Sequence, residues 1–473
     1  MNPLLKTKII AMMLVTAGIL TACGKSDTPE TVTPSNVSSA LEADAAPMLK
    51  QVLPIPFRIH MEPMDRLLLV NFEEDPDSLY KGFEPQVFDD TVNGRGQLVI
   101  GWRVDGRVDV FHDPVLSPDP SGYDIAGKGL ANMVERDLSG SGFIVDEFGV
   151  QANYRFEDIH GRLIEFSVNE RSTRERRPFG LLAPMGDAVE NPPSLPLILL
   201  HEFYFVRRKN SDIMIRIGGR EHATDMLPIP IDRSRMTFIR YCTDPLIAML
   251  NPEMDGTMKV LEVDGKGTHK LDPENEYYIF SSGDTEYLLR FNDGVAVLGG
   301  LQRRSDNHLL KLAFEPPFPN LAHLADDALI EGNFRIAGDP STGIIEGEYI
   351  VSSSDGVATI TMVPSGGWSP DPDRLSLRFL YRVAEMFRTW PESYRWTAVI
   401  TREIPAQDAR AAQDYKTARD YQTAKDDQTV RDRKTAQGDD AALEEQTDKR
   451  PLMNQSIHTE RWHMRSHWER THR

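Results

Sequence analysis

The sequence predicts a mainly β chain: antiparallel sheets forming a sandwich or a barrel in two halves, with few helices and a low-complexity C-terminal tail. Three observations lead there. Apolar runs are short, rich in Val, Ile, Phe and Tyr, and bounded by Gly, Asp, Asn and Pro. The stretch Gly347-Glu-Tyr-Ile-Val351, Ser353-Ser-Asp-Gly356, Val357-Ala-Thr-Ile-Thr-Met362 reads as a hairpin, because Asp-Gly supplies the positive φ angles of a tight turn. No strand, Gly-rich loop and helix follow one another as in dinucleotide or P-loop folds; Gly94-Arg-Gly96 and Gly127-Lys-Gly129 have neither the spacing nor the setting. Of the 473 residues 40% are hydrophobic, enough to bury a core in about two or three domains.

The chain opens with Lys6 and Lys8, followed by an almost wholly apolar run from Ile9 to Leu20. That run is shorter than the ~20 residues a permanent spanning helix needs and fits the core of a secretory signal. Leu20-Thr21-Ala22-Cys23 follows and resembles the lipobox of bacterial lipoproteins: a branched apolar residue, two small residues, then Cys. The resemblance implies a signal peptide over 1–22, cleavage before Cys23, and a diacylglyceryl group on the Cys23 thiol. It places the protein in a bacterial cell envelope, outside the cytoplasm, with a membrane as its first partner. Residues 23–50 carry Ser, Thr, Pro, Ala and acids and no aromatic residue after the Cys, which reads as a flexible tether.

The body is expected over 51–245 and 246–400, with the break in the Pro-containing, loop-like region Thr243 to Thr257. Phe143-Ile-Val145 and Val150 to Phe156 lead through Asp158-Ile-His-Gly161 to Leu163–Val168, a hairpin. Ile198 to Val206, the turn Lys209-Asn-Ser-Asp212 and Ile213–Ile217 read as another. Further strands are expected at Leu98–Trp102, Val108–Phe111, Met236–Cys242, Met258–Val263, Tyr287–Phe291, Val295–Leu298, Leu309–Phe314 and Trp396–Ile400. Two helices are expected, Gly129–Leu138 and Leu375–Trp390. The second carries Leu380, Val383, Phe387 and Trp390 at helical spacing and stops at Pro391. The most apolar stretch of the body, Leu195 to Phe205, is interrupted by Pro196, His201 and Glu202 and cannot span a bilayer.

The tail, 401–473, differs in kind. Gln413-Asp-Tyr-Lys-Thr-Ala418 and the three segments after it repeat every six residues. Six residues turn a helix by ~600°, so the Ala or Val position walks around the axis and builds no apolar stripe. A polar helix or a disordered extension is expected. Its last residues hold His458, His463, His467 and His472 among Trp462, Trp468 and several Arg. On a helix His463 and His467 would stand one turn apart and could share a metal, although no Glu or Cys completes a known zinc arrangement.

Several residue types could carry chemistry. Asp89, Asp90, Asp158, His160, Glu165 and Glu170 are acid–base candidates, and a pair of carboxylates flanking a cleft would suit glycoside hydrolysis. Glu165 and Glu170 lie an odd number apart and face opposite sides of a regular strand. Glu73-Glu-Asp-Pro-Asp77 and Asp371-Pro-Asp373 are acidic loops without a calcium-loop spacing. His112, His201 and His222 are scattered. With Cys23 lipidated, Cys242 is the one remaining thiol, and inside an apolar strand it reads as a small buried hydrophobe. Only two Cys exclude a disulfide scaffold. No Gly-x-Ser-x-Gly elbow supports a serine hydrolase. Trp102, Trp368, Trp390 and Trp396, with Phe203, Tyr204 and Phe205, supply core or an apolar ligand's surroundings. The net charge of −19 disfavours nucleic acid as a partner. No cofactor and no resident metal is expected.

Tyr154-Arg-Phe-Glu-Asp-Ile-His-Gly161, Ile164-Glu-Phe-Ser-Val168 and Pro178-Phe-Gly-Leu-Leu-Ala-Pro-Met-Gly186 resemble two-domain lipocalin-like proteins of the carotenoid-hydratase and attachment type. The resemblance covers the body, leaves out tether and tail, and transfers no site residue. It implies a lipid-anchored protein binding a hydrophobic or amphiphilic small molecule or an envelope component. The alternatives are an extracytoplasmic enzyme acting on sugar, lipid or polyene, and a structural or interaction protein.

Overall fold

Period-two alternation builds the first layer. The computed structural model describes residues 51–91, 93–184, 191–227, 230–263, 270–272, 277–305, 308–372, 374–383, 394–403 and 461–471. The strands Gly142–Asp146, Gly149–Glu157, Leu163–Glu170, Ser211–Ile217 and Arg220–Glu221 form a five-stranded antiparallel sheet, the front sheet. Tyr154 and Phe156 on one strand, and Ile164, Phe166 and Val168 on the next, point inward and are buried. Tyr154 sits opposite Phe166 with the rings stacked 4.9 Å apart. The hairpin expected here is present, and the opposed aromatic pair fixes its register.

The second expected hairpin is not formed. Ile198–Val206 does lie in a strand, Leu195–Arg207, but that strand pairs with Phe179–Pro184 and Met236–Leu250. Ser211–Ile217 pairs instead with Leu163–Glu170, in the front sheet. The turn at Asn210, with φ +64, carries the chain from one layer to the next. The turn forms where its residues require it, and the partners are decided by which faces each strand buries.

A nine-stranded sheet forms the middle layer, with Phe179–Pro184, Leu195–Arg207, Met236–Leu250, Arg66–Asn71, Tyr80–Asp90, Gly94–Arg103, Val108–His112 and Leu130–Glu135 side by side and Ile59–Pro63 added to Met236–Leu250. Its successive residues enter different cores. Leu68, Val70, Val99, Phe111, Ile239 and Tyr241 pack with the front sheet, whereas Leu67, Leu98, Ile100, Val110, Cys242 and Leu246 belong to a second core on the other side. A sheet covered on both faces has no wet side, so its strands read as nearly unbroken apolar runs. Leu195–Leu200 is buried at every position, and only from Tyr204 and Val206 onward does that strand also face the front core.

Two expectations are corrected in this layer. Thr243–Leu250 continues the Met236–Leu250 strand rather than forming a loop, and the chain leaves for the next sheet only after Asn251. Pro245 is accommodated opposite Leu200 within that strand. Gly129–Leu138 is no helix: Leu130–Glu135 is a strand running parallel to Val108–His112. The segment is short for a stable helix, whereas the open edge offers its backbone ladder hydrogen bonds.

The back sheet has eleven strands, a meander from Lys270–Asp272 to Tyr394–Glu403 extended by Arg461–Arg470 and Met254–Thr257. The hairpin Ile344–Ser354 and Val357–Ser369 turns at Asp355 and Gly356, both with positive φ (53° and 75°), as the Asp-Gly pair required. The helix Leu375–Val383 buries Leu377 and Tyr381, one turn apart, with the Tyr381 ring edge-on to Trp368; Phe387 and Trp390 lie outside the described residues.

The end of the tail overturns its reading. Arg461–Arg470 is a strand between Tyr394–Glu403 and Met254–Thr257. Trp462, Met464, Ser466 and Trp468 are buried, while Arg465 and His467 face outward. Trp468 pairs with Trp396 and donates its indole N–H to the Asn251 carbonyl at 2.9 Å. His463 and His467, four residues apart on a strand, are separated by ~13 Å and share no metal; His463 lies 3.2 Å from Asp255. The hexapeptide repeats, His458 and His472 lie outside the described residues.

None of the sheets closes into a barrel among the described residues; the architecture is a sandwich. The short ribbon of Gln51–Ile55 and Lys259–Val263 joins the second core, and Phe57 beside it packs on Phe314, Phe318 and Trp396 at 4.7, 4.8 and 5.7 Å.

Candidate functional site

The apolar run that begins the strand Leu195–Arg207 is broken at one cross-strand step. His201 is registered opposite Asp244, next to Glu202 and Thr243. Side chains alternate along a strand, so this step presents His201 and Asp244 toward the back sheet and Glu202 and Thr243 toward the front. Glu202 has φ +43, a left-handed conformation uncommon for a non-glycine residue inside a strand.

On the front side lies a cleft of about 440 Å³ lined by Glu147, Arg174, Glu175, Arg176, Glu202 and Tyr204, with Val145, Thr173 and Thr243. Its floor is aromatic. Tyr204 stacks on Tyr241 at 5.2 Å, and the Arg176 guanidinium lies over both rings at 5.6 and 5.9 Å. Arg176 is held by the Tyr241 hydroxyl and the Asp146 carbonyl. Burial pushes the Tyr204 phenol above its ordinary range, and neighbouring Glu202 adds to it. Glu202 accepts a 2.7 Å hydrogen bond from the Thr243 hydroxyl.

The loop that carries Arg174 and Glu175 is pinned from below. Buried Arg207 donates to the Ser172 hydroxyl and to the carbonyls of Arg174 and Glu175, at 2.8, 2.7 and 2.6 Å. Glu170 accepts from the Arg207 backbone N–H at 3.2 Å. Burial pushes the Glu170 carboxyl up and the Arg207 guanidinium down, each opposed by the other's charge. Glu170 is therefore part of the support of the cleft and not an open acid. Glu165 faces the other way and pairs with Arg155, as the odd spacing required.

On the back side His201, His308, Asp339 and Asp244 converge. His308 begins the strand His308–Phe318, and Asp339 follows the strand Leu329–Ala337. Asp339 Oδ2 lies 3.0 Å from His201 Nε2 and 3.1 Å from His308 Nδ1, and His308 Nε2 lies 2.7 Å from Asp244 Oδ1. The two imidazole rings stack at 4.3 Å. Hydrogen bonding of its ring to the Asp339 carboxylate, with Asp244 assisting against burial, pushes His308 up to about 9. Burial works against the charge of Asp339, but the two imidazoles prevail and hold its carboxyl well below the usual range. His201 Nε2 is buried and, despite its nearness to Asp339, has no aligned hydrogen-bond partner.

The other sequence candidates are structural. Asp158 is buried and accepts from the backbone N–H groups of His160 and Arg162 and from the Arg162 guanidinium, while His160 is exposed. Asp75 pairs with Arg220 and Asp77 with Arg162, which occupies the acidic loop; Asp371 is exposed, and Asp373 lies outside the described residues. Asp89 pairs loosely with Arg95, and Asp90 accepts from the Asn93 backbone. His112 contacts the Asp113 carbonyl, and His222 the Asp75 carbonyl. Cys242 is buried, which pushes its thiol far up; it is the small apolar residue the sequence indicated. Trp102 bonds Glu84, and Trp368 and Trp396 are core. Phe203 and Phe205 flank Phe179 on the back side, while Tyr204 alone of that trio reaches the cleft. Cys23 and Trp390 lie outside the described residues. Sequence reasoning missed Arg174, Arg176, His308 and Asp339. The available signal was the polar pair His201-Glu202 inside an apolar run.

No protein-family model, curated protein or solved structure matches the chain.

Proposed function

We propose that the protein is a lipid-anchored binder of the bacterial cell envelope that takes a hydroxyl-rich envelope component, a saccharide, in the cleft over Tyr204. The lining of the cleft carries this reading. Three Glu side chains accept from sugar hydroxyls, Arg174 and Arg176 donate to ring and carbonyl oxygens, and the part of Tyr204 that lines the cleft offers an apolar contact to the C–H groups of a pyranose. Such a lining favours a polar component over a wholly apolar small molecule. The anchor rests on the basic start, the short apolar run and Leu20-Thr21-Ala22-Cys23. Two acyl chains or more hold a protein at a membrane, where one chain does so marginally. No helix among the described residues is long and apolar enough to cross a membrane.

Calorimetric titration of the mature chain with soluble fragments of envelope polysaccharide, N-acetylhexosamine oligomers among them, tests the site. Saturable binding is expected, weakened at least ~10-fold by Tyr204→Ala, or about 1.4 kcal/mol. No heat with any fragment, or unchanged affinity in both Tyr204→Ala and Arg174→Ala, overturns it. A fatty-acid probe tests the anchor: labelling is expected, and loss of it in Cys23→Ser.

Glu147, Glu175 and Glu202 in one cleft also favour a hydrolytic reading, in which two carboxyls flank a glycosidic bond. Release of reducing ends from a bound fragment, abolished by Glu202→Gln, distinguishes it from binding alone.

A further inference from the structure

The histidine–carboxylate cluster on the back face of the same strand pair has no part in the cleft. It draws its members from both halves of the chain: His201 and Asp244 from the middle sheet, His308 from the back sheet and Asp339 from the turn after the strand Leu329–Ala337. Ligand atoms of His201, His308 and Asp339 all lie within 4.8 Å of one another. We propose that these three residues bind one divalent transition-metal ion of the zinc type, joining the middle sheet to the back sheet.

The surroundings of the three groups are those of a ligand set. His308 offers Nδ1 on the Asp339 side while Asp244 holds its Nε2 at 2.7 Å. A carboxylate on the far nitrogen is the usual way a metal-bound imidazole is oriented and made more basic. Asp339 is fixed in turn: both its oxygens accept from the Leu309 N–H, at 3.2 and 3.3 Å, and its carbonyl accepts from the Thr342 hydroxyl at 2.7 Å. His201 Nε2 is the buried nitrogen without an aligned partner, which an ion would satisfy. Two imidazoles and one carboxylate suit zinc, nickel or copper; calcium and magnesium prefer all-oxygen sets. Three protein ligands leave a fourth position to water.

Binding changes the local geometry in a definite way. Stacked rings, inclined by only 18°, cannot both aim a lone pair at one point. An ion at about 2.0–2.1 Å from each nitrogen therefore turns one imidazole out of the stack. The proton now shared between His308 and Asp339 leaves to solvent as the ion enters.

The test is calorimetric titration of the chelator-treated mature chain with zinc chloride, with magnesium and calcium chlorides as controls, followed by the histidine ring resonances. One equivalent of zinc is expected, with no response to the controls, a shift of the His201 and His308 ring signals, and a higher melting temperature. Affinity should fall at least ~10-fold in His201→Gln and roughly 10–100-fold in Asp244→Asn. Replacing His458, His463, His467 and His472 by Gln should leave the site intact. His201 has one carboxylate neighbour, Asp339 at 3.0 Å, where His308 has two, so His201→Gln should fold even where His308→Gln does not; melting temperatures without metal check this. Absence of zinc binding in the chain lacking the four C-terminal histidines, or undiminished binding in His201→Gln, overturns the proposal.

Discussion

The middle and back sheets obey opposite sequence rules. In the back sheet, Ile344–Ser354 alternates strictly, with Tyr349 and Val351 buried and Ile350 41% exposed. In the middle sheet, Leu195–Leu200 is buried at every position because both faces are covered. The difference teaches where function can be placed. A one-faced strand has a wet side for polar residues at no cost, so its polar residues say little. A two-faced strand has none, and a polar residue there must be paired or must serve something. Glu84, Gln86 and Asp109 are of the paired kind, bonded to Trp102, to Glu84 and to Tyr80 and Arg103; His201 and Glu202 interrupt the run Leu195–Phe205, and each opens onto a different site.

Three outcomes would break or sharpen the contrast. The largest concerns the back sheet's last strand. Trp468→Ala should cost ~3–5 kcal/mol, since the ring is 1% exposed and stands between Trp396 and Asn251; the urea midpoint reads it. A loss below ~1 kcal/mol would mean that Arg461–Arg470 is not packed between Tyr394–Glu403 and Met254–Thr257. Next, neighbours in the middle sheet should be equally sensitive: Leu67→Ala and Leu68→Ala, buried on opposite faces, should each cost ~2–5 kcal/mol. In the back sheet Ile360→Ala should match them, while exposed Ile350→Ala stays within ~0.5 kcal/mol. A cheap member in the Leu67–Leu68 pair would remove the two-faced burial.

The smallest effect is a pH dependence at the junction of the two sheets. His308 is pushed up to about 9 by Asp339 and Asp244, above the ordinary ~6.5 of an unfolded imidazole. A pKa raised on folding stabilises below the unfolded value, and the contribution disappears as pH climbs through the folded one. The urea midpoint of chelator-treated protein should thus fall between about pH 7 and 10. His308→Gln should flatten that fall; an unchanged slope would show that the ring carries no charge across the junction.

How much was legible in the sequence follows from the same contrast. Val357–Met362 and its Asp-Gly turn were read correctly because alternation and turn chemistry are both local. Leu163–Val168 was legible for the same reason. The partner of Leu195–Arg207 was not, because a strand without a polar face gives no register signal. Thr243–Leu250 looked like a loop through Pro245, yet burial on both sides held it in the sheet. Trp462, Met464, Ser466 and Trp468 do alternate, but charged neighbours and a distant position in the chain concealed a strand whose partners begin at Met254 and Tyr394. The cleft residue Tyr204 was visible as core or as an apolar ligand's surroundings but not as the floor of a polar cleft, and His308 with Asp339 not at all. Their meeting with His201 depends on contacts more than 100 residues away in the chain.

Two different sites back to back on one strand pair can be separated directly by titrating a single set of variants with both probes. His201→Gln should lose zinc and keep the N-acetylhexosamine oligomer, and Tyr204→Ala should lose the oligomer and keep zinc. If either substitution abolishes both responses while the melting temperature is unchanged, or if neither changes either one, the two faces of the middle sheet do not carry separate sites.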